Sequence, residues 1–165
     1  ESLSLRPEAA LLRQRRVHDT HEQDIGMIID VQDASNYFKG LLLLIRKDRK
    51  ITEVEIALMT RIGRTLGFEP GFCATAIRDI LDNAYIIELP VTLSSKQLAE
   101  KFVKDGLTLA YSDKEVHPLE EEWLRAVADA NGLEATWFDR ERERVVSEKD
   151  TSGRLEIDDL TVAFR

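Results

Sequence analysis

The chain has 165 residues, 43% of them hydrophobic and 33% charged, with a formal net charge of −8. That profile is expected of a soluble globular domain with a core of its own. The acidic balance argues against a general nucleic-acid binder, which needs a basic face. No apolar run reaches the ~18 residues that span a bilayer.

The N-terminus lacks the basic-then-apolar pattern of a signal peptide, and the first residue is not Met. Residues 6 to 24 read as a weakly amphipathic helix. Within it "HDTHEQD" sets His18, His21 and Glu22 about one turn apart. Zinc can use histidines at that spacing but needs a fourth ligand, and a solvated polar helix also accounts for them. The basic clusters "RQRR" (Arg13–Arg16) and "RKDRK" (Arg46–Lys50) read as solvated helix faces or ends. Ile25–Val31 reads as a strand or a helical continuation.

Asp33 or Ser35 can cap a helix running to about Lys47, with Phe38, Leu41, Leu42 and Ile45 inward. Thr52-x-x-Glu55 is a capping box, in which hydroxyl and carboxylate each take an orphan N–H. The helix behind it carries Val54, Leu58, Met59, Ile62 and Leu66 on one face and stops at Gly67. Pro70 opens a helix with Phe72, Cys73, Ala76, Ile77, Ile80 and Leu81 inward. Cys73 is the sole cysteine, with no disulfide partner and no CxxC spacing. Its apolar setting predicts a buried, inert thiol and fits a reducing cytoplasm.

The linker "ELPVTL" (Glu88–Leu93) precedes another capping pattern, Ser94-x-x-Gln97. A long helix follows through Leu98, Phe102 and Val103 to about Tyr111. His117 then takes a cap position and Pro118 the first helical position, where its missing N–H costs nothing. Leu119, Trp123, Leu124, Val127 and Asn131 lie at helical spacing before Gly132. Glu134 opens a last helix carrying Trp137, Phe138 and Val145. The tail from Gly153 to Arg165 alternates at Leu155 and Ile157, then at Leu160, Val162 and Phe164. Such a tail can pack on the body, pair with Ile25–Val31, or add as a strand to a partner.

Two stretches echo each other. "DRKITEVEIALMTRIGRTLGF" (Asp48–Phe68) and "DKEVHPLEEEWLRAVADANGL" (Asp113–Leu133) align without a gap at an offset of 65. Leu42 then meets Leu107, Leu44 meets Leu109, Glu55 meets Glu120, Gly67 meets Gly132, and Phe72 meets Trp137. The expected fold is all-α, a compact bundle of six to seven helices built from two related three-helix units. The expected organisation is an N-terminal segment (1–33), a helical domain (34–147, with units 34–87 and 94–147) and a tail (148–165).

A helix ending in Asp, a turn, an apolar residue, and Glu seven positions after the Asp resembles the TerB-like family. That family includes tellurite-resistance TerB proteins and the N-terminal domains of some membrane-anchored DnaJ-like proteins. The pattern stands here twice, as "DRKITEVE" (Asp48–Glu55) and "DKEVHPLE" (Asp113–Glu120), and the resemblance covers roughly residues 34 to 147. The family usually writes Asp-Gly at the turn, where this chain has Asp48-Arg49 and Asp113-Lys114. His117-Pro118-Leu119 is not the His-Pro-Asp of a J-domain. The resemblance implies a compact helical fold and a role in stress response, with protein partners in an assembly near the cytoplasmic membrane face. It also implies that the repeated acidic residues are candidates for a divalent-metal site.

Two readings of Asp48, Glu55, Asp113 and Glu120 follow. In one, four carboxylates converge on a calcium or magnesium ion, which takes oxygen ligands. In the other, the glutamates are helix caps and the aspartates accept turn N–H groups. A faint calcium-loop pattern also sits in "EKDTSGRLEIDD", where Glu148, Asp150, Ser152 and Asp159 fall at ligand positions around Gly153. A polar linker explains the same residues. No GxSxG, P-loop, dinucleotide fingerprint or HExxH is present. The sequence therefore points to a non-enzymatic interaction module, with a divalent-cation binder or sensor as the alternative and no cofactor required.

Overall fold

The computed structural model describes residues 26–47, 49–83, 86–112, 116–148 and 154–164. The stretch 6–24, with His18, His21 and Glu22, lies outside them, as do Asp48, Asp113, Asp150, Ser152 and Gly153. Among the described residues there are six α-helices: α1 (Val31–Ile45), α2 (Glu53–Thr65), α3 (Pro70–Asp79), α4 (Lys96–Ala110), α5 (Pro118–Ala130) and α6 (Ala135–Ser147). Strand β1 (Met27–Asp30) precedes them; a 3-10 turn (Glu156–Asp159) and strand β2 (Leu160–Ala163) follow. No helix among these is long and apolar enough to cross a membrane.

The starts of α1, α2 and α3 recur 65 residues later as the starts of α4, α5 and α6. The caps recur too. Thr52 accepts from Glu55 N at 3.1 Å while Glu55 accepts from Thr52 N at 2.9 Å. In the second unit His117 Nδ1 accepts from Leu119 N at 3.1 Å, and Glu120 accepts from His117 N at 3.0 Å. Gly67 and Gly132 stand at φ 88° and 78°, where a glycine meets no side-chain penalty.

α1 is apolar nearly all round, from Leu41 through Ile45, so it lies inside the bundle. It packs on α2, α4 and α5, while α4 packs on α5, α6 and the 3-10 turn. Tyr37 and Phe102, at equivalent positions, meet edge to face with ring centroids 5.2 Å apart. Gly40 makes room for that ring: a Cβ there would stand 2.7 Å from Phe102 Cζ.

Several sequence expectations need correction. Val54 and Leu119, expected inward, are about half exposed in both units. They sit one residue before the first buried position, which Glu55 and Glu120 take because their carboxylates fold back over the helix start. Phe72 is also exposed, although its ring lies 5.8 Å from Phe68 and 6.5 Å from Phe38. The cap of α1 is Asp30, which accepts from Asp33 N at 2.8 Å. Asp33 is itself buried and accepts from Ser94 N at 3.0 Å and from the Ser94 hydroxyl. Ser94 is thereby committed to α1, and Ser95 caps α4 instead.

The tail folds back, which withdraws its support for strand addition to a partner. β2 pairs with β1 in parallel, Met27 opposite Leu160 through Asp30 opposite Ala163. Leu155, Ile157 and Leu160 are buried in the core. Asp105 of α4 holds the turn in place. Its carboxylate accepts from Glu156 N at 2.7 Å, Ile157 N at 3.0 Å and Tyr37 Oη at 2.7 Å.

Burial raises the Asp105 pKa to about 7 against the pull of these three hydrogen bonds. The folded chain therefore keeps a proton that the unfolded chain, with a carboxyl near 3.8, has released. The contribution of Asp105 to stability is full at acid pH and is lost as pH rises toward 7. Asp105→Asn should flatten that slope. It should also cost ~1–3 kcal/mol, because one backbone donor then faces an amide NH2. Urea melts between pH 4 and pH 8 check both: an unchanged slope in D105N would show that Asp105 is ionised throughout.

Candidate functional site

The second basic cluster stands at the end of α1 as its charge suggests, with Arg49 and Lys50 exposed, but Arg46 is buried and Lys47 partly so. The run Gly40–Ile45 leaves α1 no polar face, so its C-terminus is drawn into the bundle and Arg46 goes with it. Arg46 is 3% exposed. Its Nη1 donates to Asn83 O at 2.9 Å and its Nη2 lies 3.3 Å from Glu88 Oε2. Lys47 pairs with the other oxygen of Glu88. The Lys47 hydrogen bond, with the charges of Lys47, Arg46 and Arg49, holds the Glu88 carboxyl below its ordinary range against its partial burial.

These groups surround a cavity of about 450 Å³ lined also by Arg49, Pro90, Leu119, Glu122, Trp123 and Ala126. The volume falls within the range of small-ligand and side-chain pockets. Lys47 Nζ stands 5.8 Å from the centre of the Trp123 ring, within reach of a cation–π contact. Trp123 is buried, and its indole N–H has no acceptor among the described residues. Three cations face two carboxylates, Glu88 and Glu122, so the pocket keeps positive charge inside an acidic chain.

Arg49 is the unusual member. It is exposed and stands at φ 65°, a left-handed conformation costing a non-glycine residue roughly 1–2 kcal/mol. Its N–H donates to Arg46 O at 3.1 Å, closing the turn after α1. Its guanidinium has no carboxylate within ion-pair distance among the described residues. Strain of this kind at a cavity wall is a reason to look for function there.

Sequence reasoning missed this pocket because its parts come from three separate places: the end of α1, the linker, and α5. The available signal was a basic cluster attached directly to an uninterrupted apolar run. Such a cluster cannot all remain in solvent.

Glu55 and Glu120 are both buried at 4% and 2% exposure, each bound to the start of its own helix. Asp48 and Asp113 lie outside the described residues, so the structure describes only the two glutamates of the four-carboxylate arrangement. No group of three or more His, Cys, Asp or Glu suited to a metal stands among the described residues. Of the faint calcium loop, Glu148 pairs with Arg144 at 2.8 Å and Asp159 with Arg154 at 2.6 Å. Cys73 is buried, and burial with the nearby Glu69 raises its thiol pKa; such a thiol is a poor nucleophile. Asp105 lines neither this cavity nor a second one, of about 540 Å³, beside β1 and the start of α1.

If Glu55 and Glu120 act as caps, Glu55→Gln and Glu120→Gln should each cost about 1 kcal/mol. For the wild type, and for each variant at its own lower Tm, the melt with chelator should superpose on the melt with millimolar calcium or magnesium. A saturable rise in wild-type Tm that both variants lose would instead identify a cation site.

Compared with known proteins, the chain matches no family model, no curated protein and no solved structure.

Proposed function

We propose that this chain is a non-enzymatic interaction module whose docking face is the pocket of Arg46, Lys47, Arg49 and Trp123. The observation that carries the reading is the apolar surface beside that pocket. Ile87 and Leu89, flanking Glu88 on the linker, are 67% and 70% exposed, and Leu119 on the pocket wall is 46% exposed. Leu119 lines the cavity, and Ile87 and Leu89 are the chain neighbours of Glu88, which also lines it; exposed apolar groups next to a charged pocket match the composition of protein-binding sites. Arg and Trp are the residue types that most often dominate binding energy.

The doubled Asp-led motif supports a TerB-like identity within this reading. From that resemblance we infer a partner in a stress-response assembly near the cytoplasmic membrane face. The twice-used cap geometry of Glu55 and Glu120 favours this module over the cation-binding alternative, since capping occupies one oxygen of each carboxylate.

A photo-crosslinking residue placed at position 87 or 119 tests the reading in the native cells. Discrete protein adducts are expected from both positions and not from position 56, an exposed site on α2. Adducts of equal yield at all three, or none at 87 and 119, would contradict it.

A further inference from the structure

Glu88 shows what the pocket accepts. It is a carboxylate on an extended segment, between two exposed apolar residues, held by Arg46 and Lys47. Arg49 adds a third cation on the same wall with no carboxylate of its own among the described residues. A glycine would relieve the left-handed backbone at Arg49. The chain instead presents a guanidinium there, with its planar fork of donors suited to carboxylate. Trp123 lines the same cavity, its ring centre 5.8 Å from Lys47 Nζ.

We propose that the pocket receives an acidic segment of a partner protein, one carboxylate between apolar side chains, which displaces Glu88 and pairs with Arg49 and Lys47. The apolar neighbours of that carboxylate pack on Leu119, Pro90 and Ala126. The inference rests on the interaction-module reading and specifies the partner's chemistry. Glu88 acts as a built-in competitor: the linker must release it before the partner docks, so apparent affinity falls by the fraction of chain in which the pocket is filled. The one-charge excess of the pocket over its carboxylates makes the exchange sensitive to salt.

The test uses the full chain and a peptide copy of the linker, Ile-Ile-Glu-Leu-Pro-Val, with a second peptide carrying Gln for Glu. Calorimetric titration should show the Glu peptide binding E88Q about tenfold more tightly than wild type, and the Gln peptide binding at least tenfold more weakly. Arg49→Gly, made in the otherwise native chain, should move two readouts in opposite directions. Its Tm should rise by about 2–4 °C as the backbone strain is relieved, while binding of the Glu peptide falls about tenfold. A residue with a purely structural role would not give that opposition.

Equal binding of the Glu and Gln peptides would overturn the carboxylate exchange and leave an apolar docking face. No binding of either peptide to E88Q would overturn the docking face as well. An R49G protein that is more stable and binds equally well would remove Arg49 from the site. Inorganic phosphate displacing the Glu peptide at equal concentration would make the pocket a general anion site and refute the peptide assignment.

Discussion

The close approach of α1 to α4 is the contact on which the other positions depend. It is possible because Gly40 leaves space for the Phe102 ring, which then stands edge-on to Tyr37. With the two leading helices in contact, each unit's second and third helices fall around them. The C-terminus of α1 is carried to the start of α5, and that convergence is the pocket. Trp123 joins the two regions: its ring lies 6.2 Å from Phe102 on one side and lines the cavity on the other. The pocket therefore touches the core through Arg46 and Trp123, while Lys47, Arg49, Glu88 and Pro90 come from the turn after α1 and the linker.

Polar groups then tie the irregular segments to this frame. Asp33 holds Ser94 at the end of the linker. Asn131 accepts from Leu93 N at 2.9 Å and donates to Val91 O at 2.9 Å. Asp105 holds the turn that brings the tail back to β1. Each is a side chain satisfying backbone groups that an extended segment would otherwise leave unpaired near the core. The linker is thus anchored at its C-terminal end by Asp33 and Asn131, and nearer its start by the ion pairs of Glu88. Leu89 between these anchors, and Ile87 just before the first, remain in solvent.

Much of the fold was legible in the sequence because its signals are local. Capping boxes, Pro70 and Pro118, and the two glycine stops each act within a few residues, and the 65-residue offset duplicates them. The expected face of α2 and α5 failed at its first position for a local reason as well: periodicity places Val54 and Leu119 inward, but the capping glutamates claim that turn. Asn131, which broke the apolar pattern of the second unit, has a role that only tertiary structure reveals, since it binds a linker some forty residues away. The same limit hid the pocket. Arg46 and Lys47 read as solvated until the burial of α1 is known, and nothing in "ELPVTL" says that its glutamate turns toward them. The paired carboxylates were legible as caps, which explain their spacing without a ligand, and also as ligands, because both readings use the same residue types.

The claim that matters most is that this face, and no other exposed apolar surface, receives an acidic partner segment. The main rival is the aromatic surface of Phe68, Phe72 and Phe164, where the Phe164 ring rests against Gly67. Backbone amide shifts recorded while the full chain is titrated with the Glu-containing peptide separate the two. Saturating changes are expected at Lys47, Arg49, Glu88, Leu119 and Trp123, with Phe68 and Phe72 unmoved. Changes centred on Phe68, Phe72 and Phe164, with the α1 end and the linker silent, would contradict it.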